Sequence, residues 1–368
     1  MTQHPHTTET DAAETVTGAA VTGVRVTGGV DTHKDTHVAA ARDHLGRVLG
    51  TRTFPATTTG YHTLLTWLRH FGTLTDVGIE GTGSYGAGLA RHLTHHGVTV
   101  VEINRPDRRK RRLHGKTDVL DALNAAAAVQ AGDATATPKT ATGAAAAVAA
   151  LRVVRGGAVK SRTVALNQLT SLIVTAPAAL RDTLRPLTRT ALLRHCARLR
   201  PGPDLTDPLN ATKTALRRLA RRIHDLTAEI TATDTDLTAL LPVVLPRTTA
   251  VFGVGPDTAG QLLVTAGDNI DRIATDAQFA HLCAAAPIEA SSGRTHRHRL
   301  NRGGDRQANA ALHRVVIVRM RYCPRTRDYV ARRTTEGKTT RDIIRCLKRY
   351  VARELHRTLT ADLATGHL

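Results

Sequence analysis

The sequence is poor in aromatics, in cysteine and in acid. Only 3% of its 368 residues are Phe, Trp or Tyr, so a core must come mainly from Ala, Val and Leu. The four cysteines, Cys196, Cys283, Cys323 and Cys346, stand far apart and form no CxxC pair. That spacing argues against a disulfide framework or a zinc site and fits reduced thiols in a cytoplasmic, nucleoid-associated protein. No apolar run approaches the ~18 residues of a membrane-spanning helix. The opening MTQHPHTTETDAAETVTG has neither the basic start nor the apolar segment of a signal peptide and reads as a disordered tail. Against 31 Asp and Glu stand 51 Lys and Arg, a net charge of +20. A chain this basic is expected to meet a polyanion, nucleic acid first, because neutralising phosphates yields strong, salt-sensitive binding.

What is present is order. From about residue 24, VRVTGGVDTH, HVAAARD and RVLGTRTF read as three short strands of an antiparallel meander. HTLLTWLRHF has helical spacing, TDVGIE reads as a buried strand, SYGAGLARHLTHHG as a helix closed by Gly97, and VTVVEI as a further strand. A helix over about Asp118–Ala131 follows. This succession predicts an α/β RNase H-like domain with helices on the faces of a mixed sheet. The expected segments are a tail at 1–22, this domain at 23–132, a linker and helical region at 133–245, a mostly α-helical domain at 246–360, and a tail at 361–368.

In the helical region, Leu209, Leu216, Ile223, Ile230 and Leu237 recur every seven residues. Leu219, Leu226 and Leu240 occupy the intermediate position, with Thr212 and Thr233 interrupting. A coiled coil or long helical hairpin over 209–240 follows. Its seam can be covered by its own domain or by a second copy, and the second case predicts a dimer or tetramer. Further on, VFGVGPDTAGQLLVTAGD resembles a helix-hairpin-helix, whose turn offers backbone N–H groups to phosphate. A plain helix–helix turn fits it equally.

Four acids stand where this fold would gather them. Asp31 ends the first strand and Glu80 the fourth, while Asp118 and Asp121 lie three apart at a helix start and so share a face. Converging carboxylates are what Mg²⁺-assisted phosphodiester chemistry needs. Glycines beside Asp31 and Glu80 would let a substrate backbone approach. Each acid alone has an ordinary explanation, as a turn residue or a helix cap. Just before Asp118, NRPDRRKRRLHGK carries Arg105, Arg108, Arg109, Lys110, Arg111, Arg112 and Lys116, a cluster suited to a phosphate backbone. A second basic loop, SSGRTHRHRLNRGG, sets Ser291 and Ser292 against Gly293 and adds Arg294, His296, Arg297, His298, Arg299 and Arg302. Its serines could grip phosphate, cap a helix or act as a nucleophile.

GVDTHKDTHVAA, GIEGTGSYGAGLARHL, NRPDRR and GKTDVLDA resemble the N-terminal part of DEDD-type insertion-sequence transposases of the IS110 family. GVGPDTAGQLLVTAGD, QFAHLCAAAP, SSGRTHRHRLNRGGDRQAN and CLKRYVARE resemble its C-terminal transposase domain. The likeness runs from about Val24 to Leu359. It implies a RuvC-like catalytic domain at 23–132 and a serine transposase domain at 246–360. It implies that Asp31, Glu80, Asp118 and Asp121 hold the metal, and that Ser292, which directly precedes Gly293, is the nucleophile, with Ser291 its rival. It implies a recombinase that acts on donor and target DNA and is guided by a structured non-coding bridge RNA. Arg294, Arg297, Arg299 and Arg302 would then hold DNA phosphates. A RuvC-like metal nuclease without serine chemistry, and a nucleic-acid-binding protein without chemistry, are the competing expectations.

Overall fold

A computed structural model of the chain describes residues 23–103 and 117–364. The expected tail at 1–22, the basic cluster from Arg105 to Lys116 and the last four residues of the expected C-terminal tail lie outside the described residues. The chain divides into two compact units, Met1–Lys139 and Thr140–Leu368.

The first unit follows the expected succession. Strands β1 (Arg25–Thr32), β2 (Thr36–Asp43) and β3 (Val48–Pro55) form the antiparallel meander. Helix α1 (Thr58–His70), β4 (Thr73–Glu80), α2 (Ala87–His95), β5 (Thr99–Ile103) and α3 (Asp118–Gln130) complete it. The sheet order is β3-β2-β1-β4-β5, with β1, β4 and β5 parallel. Alternation along the strands divides two faces. Val26, Val30, Ala39, Ala41, Val77 and Ile79 turn to α1 and α2, where Leu64, Leu65, Leu68, Leu89 and Leu93 bury against them. Full burial of each such leucine contributes about 1.5–3 kcal/mol, which offsets the scarcity of aromatics.

The other face carries α3, and two glycines set its seat. Gly29 of β1 and Gly78 of β4 are register partners on adjacent strands. A Cβ on Gly29 would lie 2.1 Å from the Ala122 carbonyl oxygen and 2.3 Å from the Ala126 nitrogen. One on Gly78 would meet the Ala125 oxygen at 2.8 Å. The glycine beside Asp31 therefore admits a helix backbone, where the sequence had suggested room for a substrate backbone. Thr117 starts that helix by accepting a hydrogen bond from the Leu120 N–H at 3.2 Å.

Gly29→Ala is expected to push α3 off the sheet and cost about 2–4 kcal/mol, read as a lowered Tm. Gly157→Ala supplies the contrast. Gly157 lies inside a long helix with open space around its Cβ position, so alanine there should add up to about 1 kcal/mol.

The second unit is almost wholly helical. Helix α4 (Ala144–Val174) runs unbroken through Gly156 and Gly157. After α5 (Ala178–Leu184) and α6 (Arg189–Ala197), α7 (Pro208–Val244) pairs with α4 as a long hairpin. The heptad positions Leu216, Ile223, Ile230 and Leu237 are buried. Leu216 and Ile223 pack with Ala165, Leu169 and Ile173 of α4; Leu237 packs with Ala145 and Val148 of α4. A helix of the same chain thus covers the seam at Leu216, Ile223 and Leu237.

The remaining elements are α8 (Pro246–Thr249), α9 (Pro256–Ala266), α10 (Asp276–Leu282), the short strands β6 (Ile288–Glu289) and β7 (His298–Arg299), α11 (Arg306–Tyr322), α12 (Pro324–Thr335) and α13 (Thr340–Ala364). A short 3₁₀ turn, Ile270–Arg272, precedes α10. Between α8 and α9, Gly253 takes φ +86° and makes the turn of the helix-hairpin-helix-like stretch. Helix α9 is buried from Thr258 to Leu263. In its first turn, burial acts to raise the Asp257 carboxyl, but Arg152, Arg314 and Arg155 outweigh it and hold that carboxyl below its ordinary range.

Candidate functional site

The acids of the first unit gather at the C-terminal ends of its parallel strands, where open α/β sheets commonly bind ligands. Val30 pairs with Ile79, so the next residues on the two strands, Asp31 and Glu80, end up side by side along the sheet edge. Thr32 ties these ends together, its hydroxyl donating to the Glu80 carbonyl at 2.7 Å. Helix α3, seated over Gly29 and Gly78, begins above the same edge and brings Asp118 and Asp121 with it.

Asp31 and Asp121 are buried, while Asp118 is exposed. Burial pushes the Asp31 carboxyl up, His33 pulls it back, and the Asp121 and Asp118 carboxylates push it up again; the net shift is upward. Asp31 therefore senses the charges of both Asp121 and Asp118. Glu80 and Asp121 line one cleft beside α3.

Two members of this site escaped the sequence reading. The His33 Nε2 lies 3.2 Å from the Asp31 carboxylate and 3.2 Å from that of Asp118. One ligand atom from each of Asp31, His33 and Asp118 falls within 4.8 Å of the others, a spacing that could hold a metal ion. The DTH triplet was the available signal, since residues two apart on an extended chain share a side. The second is Asn124, whose Nδ2 is buried without a hydrogen-bond partner among the described residues and which lines the cleft with Glu80 and Asp121. It continues the three-residue spacing Asp118, Asp121, Asn124 along one helix face. The clustered carboxylate oxygens around Asp31, and the orphan amide of Asn124 in the cleft that Glu80 and Asp121 line, fit a divalent cation with a phosphate beside it.

In the second unit the serine loop is a β-hairpin. Its strands pair Ile288 with Arg299 and Glu289 with His298, and Ser292 and Thr295 bridge at its tip. Gly293 turns the tip at φ +53°. Ser291 is engaged in the hairpin: its Oγ accepts the Arg297 N–H at 3.2 Å. The Ser292 side chain is exposed and makes no hydrogen bond among the described residues. Arg294, Arg297, Arg299 and Arg302 are exposed, as are His296 and His298. The returning chain is pinned to the end of α10, where Asn301 Nδ2 donates to the His281 carbonyl at 2.8 Å and the Asp305 N–H to that of Leu282 at 2.7 Å. A Cβ on Gly304 would lie 2.6 Å from the Ala284 nitrogen, so the close approach requires glycine.

Residues 28–176 match the family model for DEDD-type IS110 transposases, described as Transposase. Residues 247–331 match the model described as Transposase IS116/IS110/IS902 family. The insertion element IS110 uncharacterized 43.6 kDa protein of Streptomyces coelicolor (strain ATCC BAA-471 / A3(2) / M145) is 34% identical over 152 residues. That alignment covers 41% of this chain and 34% of the relative, so the chain spans about a third of the relative's length there. No helix among the described residues is long and apolar enough to cross a membrane. With two models of one family matching separate parts of the chain in order, the chain belongs to the IS110 family of DEDD-type transposases.

Proposed function

We propose that this protein is the transposase of an insertion sequence, cutting and rejoining DNA with a serine nucleophile and a carboxylate-held divalent cation. The observation that carries the proposal is the seating of α3 over Gly29 and Gly78, which delivers Asp118 and Asp121 to the strand end bearing Asp31. The strand order and senses are those expected of an RNase H-like sheet, which supports the RuvC-like reading. Asp31, Glu80, Asp118 and Asp121 would hold Mg²⁺, with His33 against two of them. Bound there, the cation neutralises phosphate charge and lowers the pKa of an attacking hydroxyl.

The Ser292 hydroxyl attacks the scissile phosphorus, forming a phosphoserine bond as the P–O bond to the leaving strand breaks. The leaving strand's oxygen takes a proton. A hydroxyl of another strand then reverses the step, so the bond energy is kept for rejoining. The exposed side chain of Ser292 favours it over Ser291, which is tied to Arg297. Arg294, Arg297, Arg299 and Arg302 would hold DNA phosphates around it, and the basic stretch from Arg105 to Lys116, which precedes Asp118 in the sequence, would hold others.

Guidance by a bridge RNA is the part carried by family resemblance. In that case base pairing reads the target and the protein reads shape and phosphate. Strand exchange between donor and target DNA should require the non-coding RNA transcribed beside the gene, and altering that RNA should move the target. Cleavage without RNA at branched or mismatched DNA, independent of both serines, would instead make this a RuvC-like metal nuclease.

A further inference from the structure

A cleft of about 800 Å³ lies between the base of the serine hairpin and helices α12 and α13. Such a volume is within the range of small-ligand sites, roughly 300–1,000 Å³. Its lining includes Lys338, Arg345, Lys348 and Arg353, with Leu300 and Tyr350 as apolar surface. Among the described residues one acid lines it, Asp342, paired with Arg345 at 2.9 Å, and Arg353 is paired with Asp276 at 2.7 Å.

Lys348 is the most telling of these cations. Its Nζ donates to Asn309 Oδ1 at 2.9 Å. Asn309 is itself fixed, its Nδ2 donating to the Cys283 and Ala284 carbonyls at 3.1 and 2.9 Å. The lysine is thus oriented by a neutral amide and has no carboxylate partner among the described residues. Burial, and then the charge of Arg345, hold its pKa below the ordinary lysine value. An entering anion would relieve both.

Tyr350 is 53% exposed and Leu300 56%. Tyr85 and Tyr322 are as exposed, and of the three it is Tyr350 that lines this cleft. Its orientation is set from behind, where Tyr329 meets it edge to face at 5.9 Å between centroids. An aromatic ring beside a cation without a carboxylate partner, here Lys348, is the combination that binds a base together with its phosphate. A base stacked inside a duplex could not reach that face, so the ligand must be single-stranded or extruded. Strand β7 lines the cleft through His298 and Arg299 and belongs to the hairpin that carries Ser292.

We propose that this cleft holds one single-stranded nucleotide of the DNA substrate, its base against Tyr350 and Leu300 and its phosphate on Lys348. That the strand is DNA rests on the function proposed above.

The test is binding of a single-stranded DNA oligonucleotide carrying 2-aminopurine to the full-length protein, without divalent cation. Such an assay holds no cleavage chemistry, so failure of the serine mechanism leaves its result untouched. Tyr350→Ala is expected to weaken binding about tenfold and restore the fluorescence quenched by stacking, while duplex binding stays unchanged. Tyr350→Phe should behave as wild type. Lys348→Met should weaken binding and lower the salt slope by about one ion, with Lys348→Arg keeping the slope. Unchanged single-strand affinity and quenching in Tyr350→Ala would overturn the proposal. Tighter binding of the same sequence as RNA would overturn its assignment to DNA.

Discussion

Asp31→Asn is expected to lower DNA strand cleavage by about 10³-fold or more while making the metal-free protein more stable. The loss follows from removing a carboxylate that holds the cation, an interaction worth several kcal/mol of transition-state stabilisation, where each 1.36 kcal/mol is tenfold. The gain in stability follows from the raised Asp31 pKa. A carboxyl with a higher pKa folded than unfolded binds its proton more tightly in the folded protein. The charged form is therefore the destabilising one. Its cost grows as pH rises from the unfolded value through the folded one, is full above the folded one, and is relieved as pH falls. Asparagine removes that charge and its repulsion with Asp121 and Asp118. A gain of about 1 kcal/mol, roughly 2–4 °C in Tm, is the expected scale. Thermal melts with and without Mg²⁺ check it without reference to catalysis. Mg²⁺ should raise the Tm of the wild type, by binding the folded state, and leave Asp31→Asn nearly unmoved. A variant less stable than wild type, with its Mg²⁺ response intact, would mean that Asp31 is a structural strand-end residue.

Ser292→Ala is expected to abolish the covalent link between protein and DNA, a loss on the order of 10³-fold or more in recombination. The substitution should leave the hairpin standing. The Ser292–Thr295 bridge uses backbone groups, and alanine at an exposed position usually changes stability by no more than about 0.5 kcal/mol. Ser291→Ala should differ in kind. It removes the acceptor of the Arg297 N–H, a hydrogen bond worth about 1 kcal/mol. The expected result is a looser hairpin with slower but surviving adduct formation. Single-turnover rates for the two variants, beside their melting curves, separate nucleophile from scaffold. Equal loss in both would leave the choice between the serines to the hairpin as a whole.

Much of the first unit was legible in the sequence. Its strands are short, and its one long meander is punctuated by Gly, Pro and Asp, so the succession of elements could be read from alternation alone. The spacing of Asp118 and Asp121 likewise needed only the helical period. What could not be read was depth. Gly28 and Gly29 look alike in the sequence, yet the second sits under a helix backbone and the first against Leu68. His33 and Asn124 join the acids through tertiary placement, and a lone histidine or asparagine carries no such label in one dimension. The heptads over 209–240 announced a partner helix and could not name it, because a seam filled from within the chain and one filled by a second copy have the same period. The serines were the hardest case. Which one lies open depends on a hairpin register that residue types do not specify, since a shift of one residue exchanges the faces.

A serine of this hairpin is expected to become bonded to DNA. The most direct test incubates the purified protein with its flanking non-coding RNA, Mg²⁺ and donor and target DNA. The reaction is then denatured, digested with nuclease, and the peptide bearing a nucleotide remnant is identified by mass spectrometry. The expected result is a nucleotide-modified peptide with the adduct on Ser292, absent from Ser292→Ala and from Asp31→Asn. Cleaved DNA with no modified peptide, or an adduct undiminished in Ser292→Ala, would contradict it.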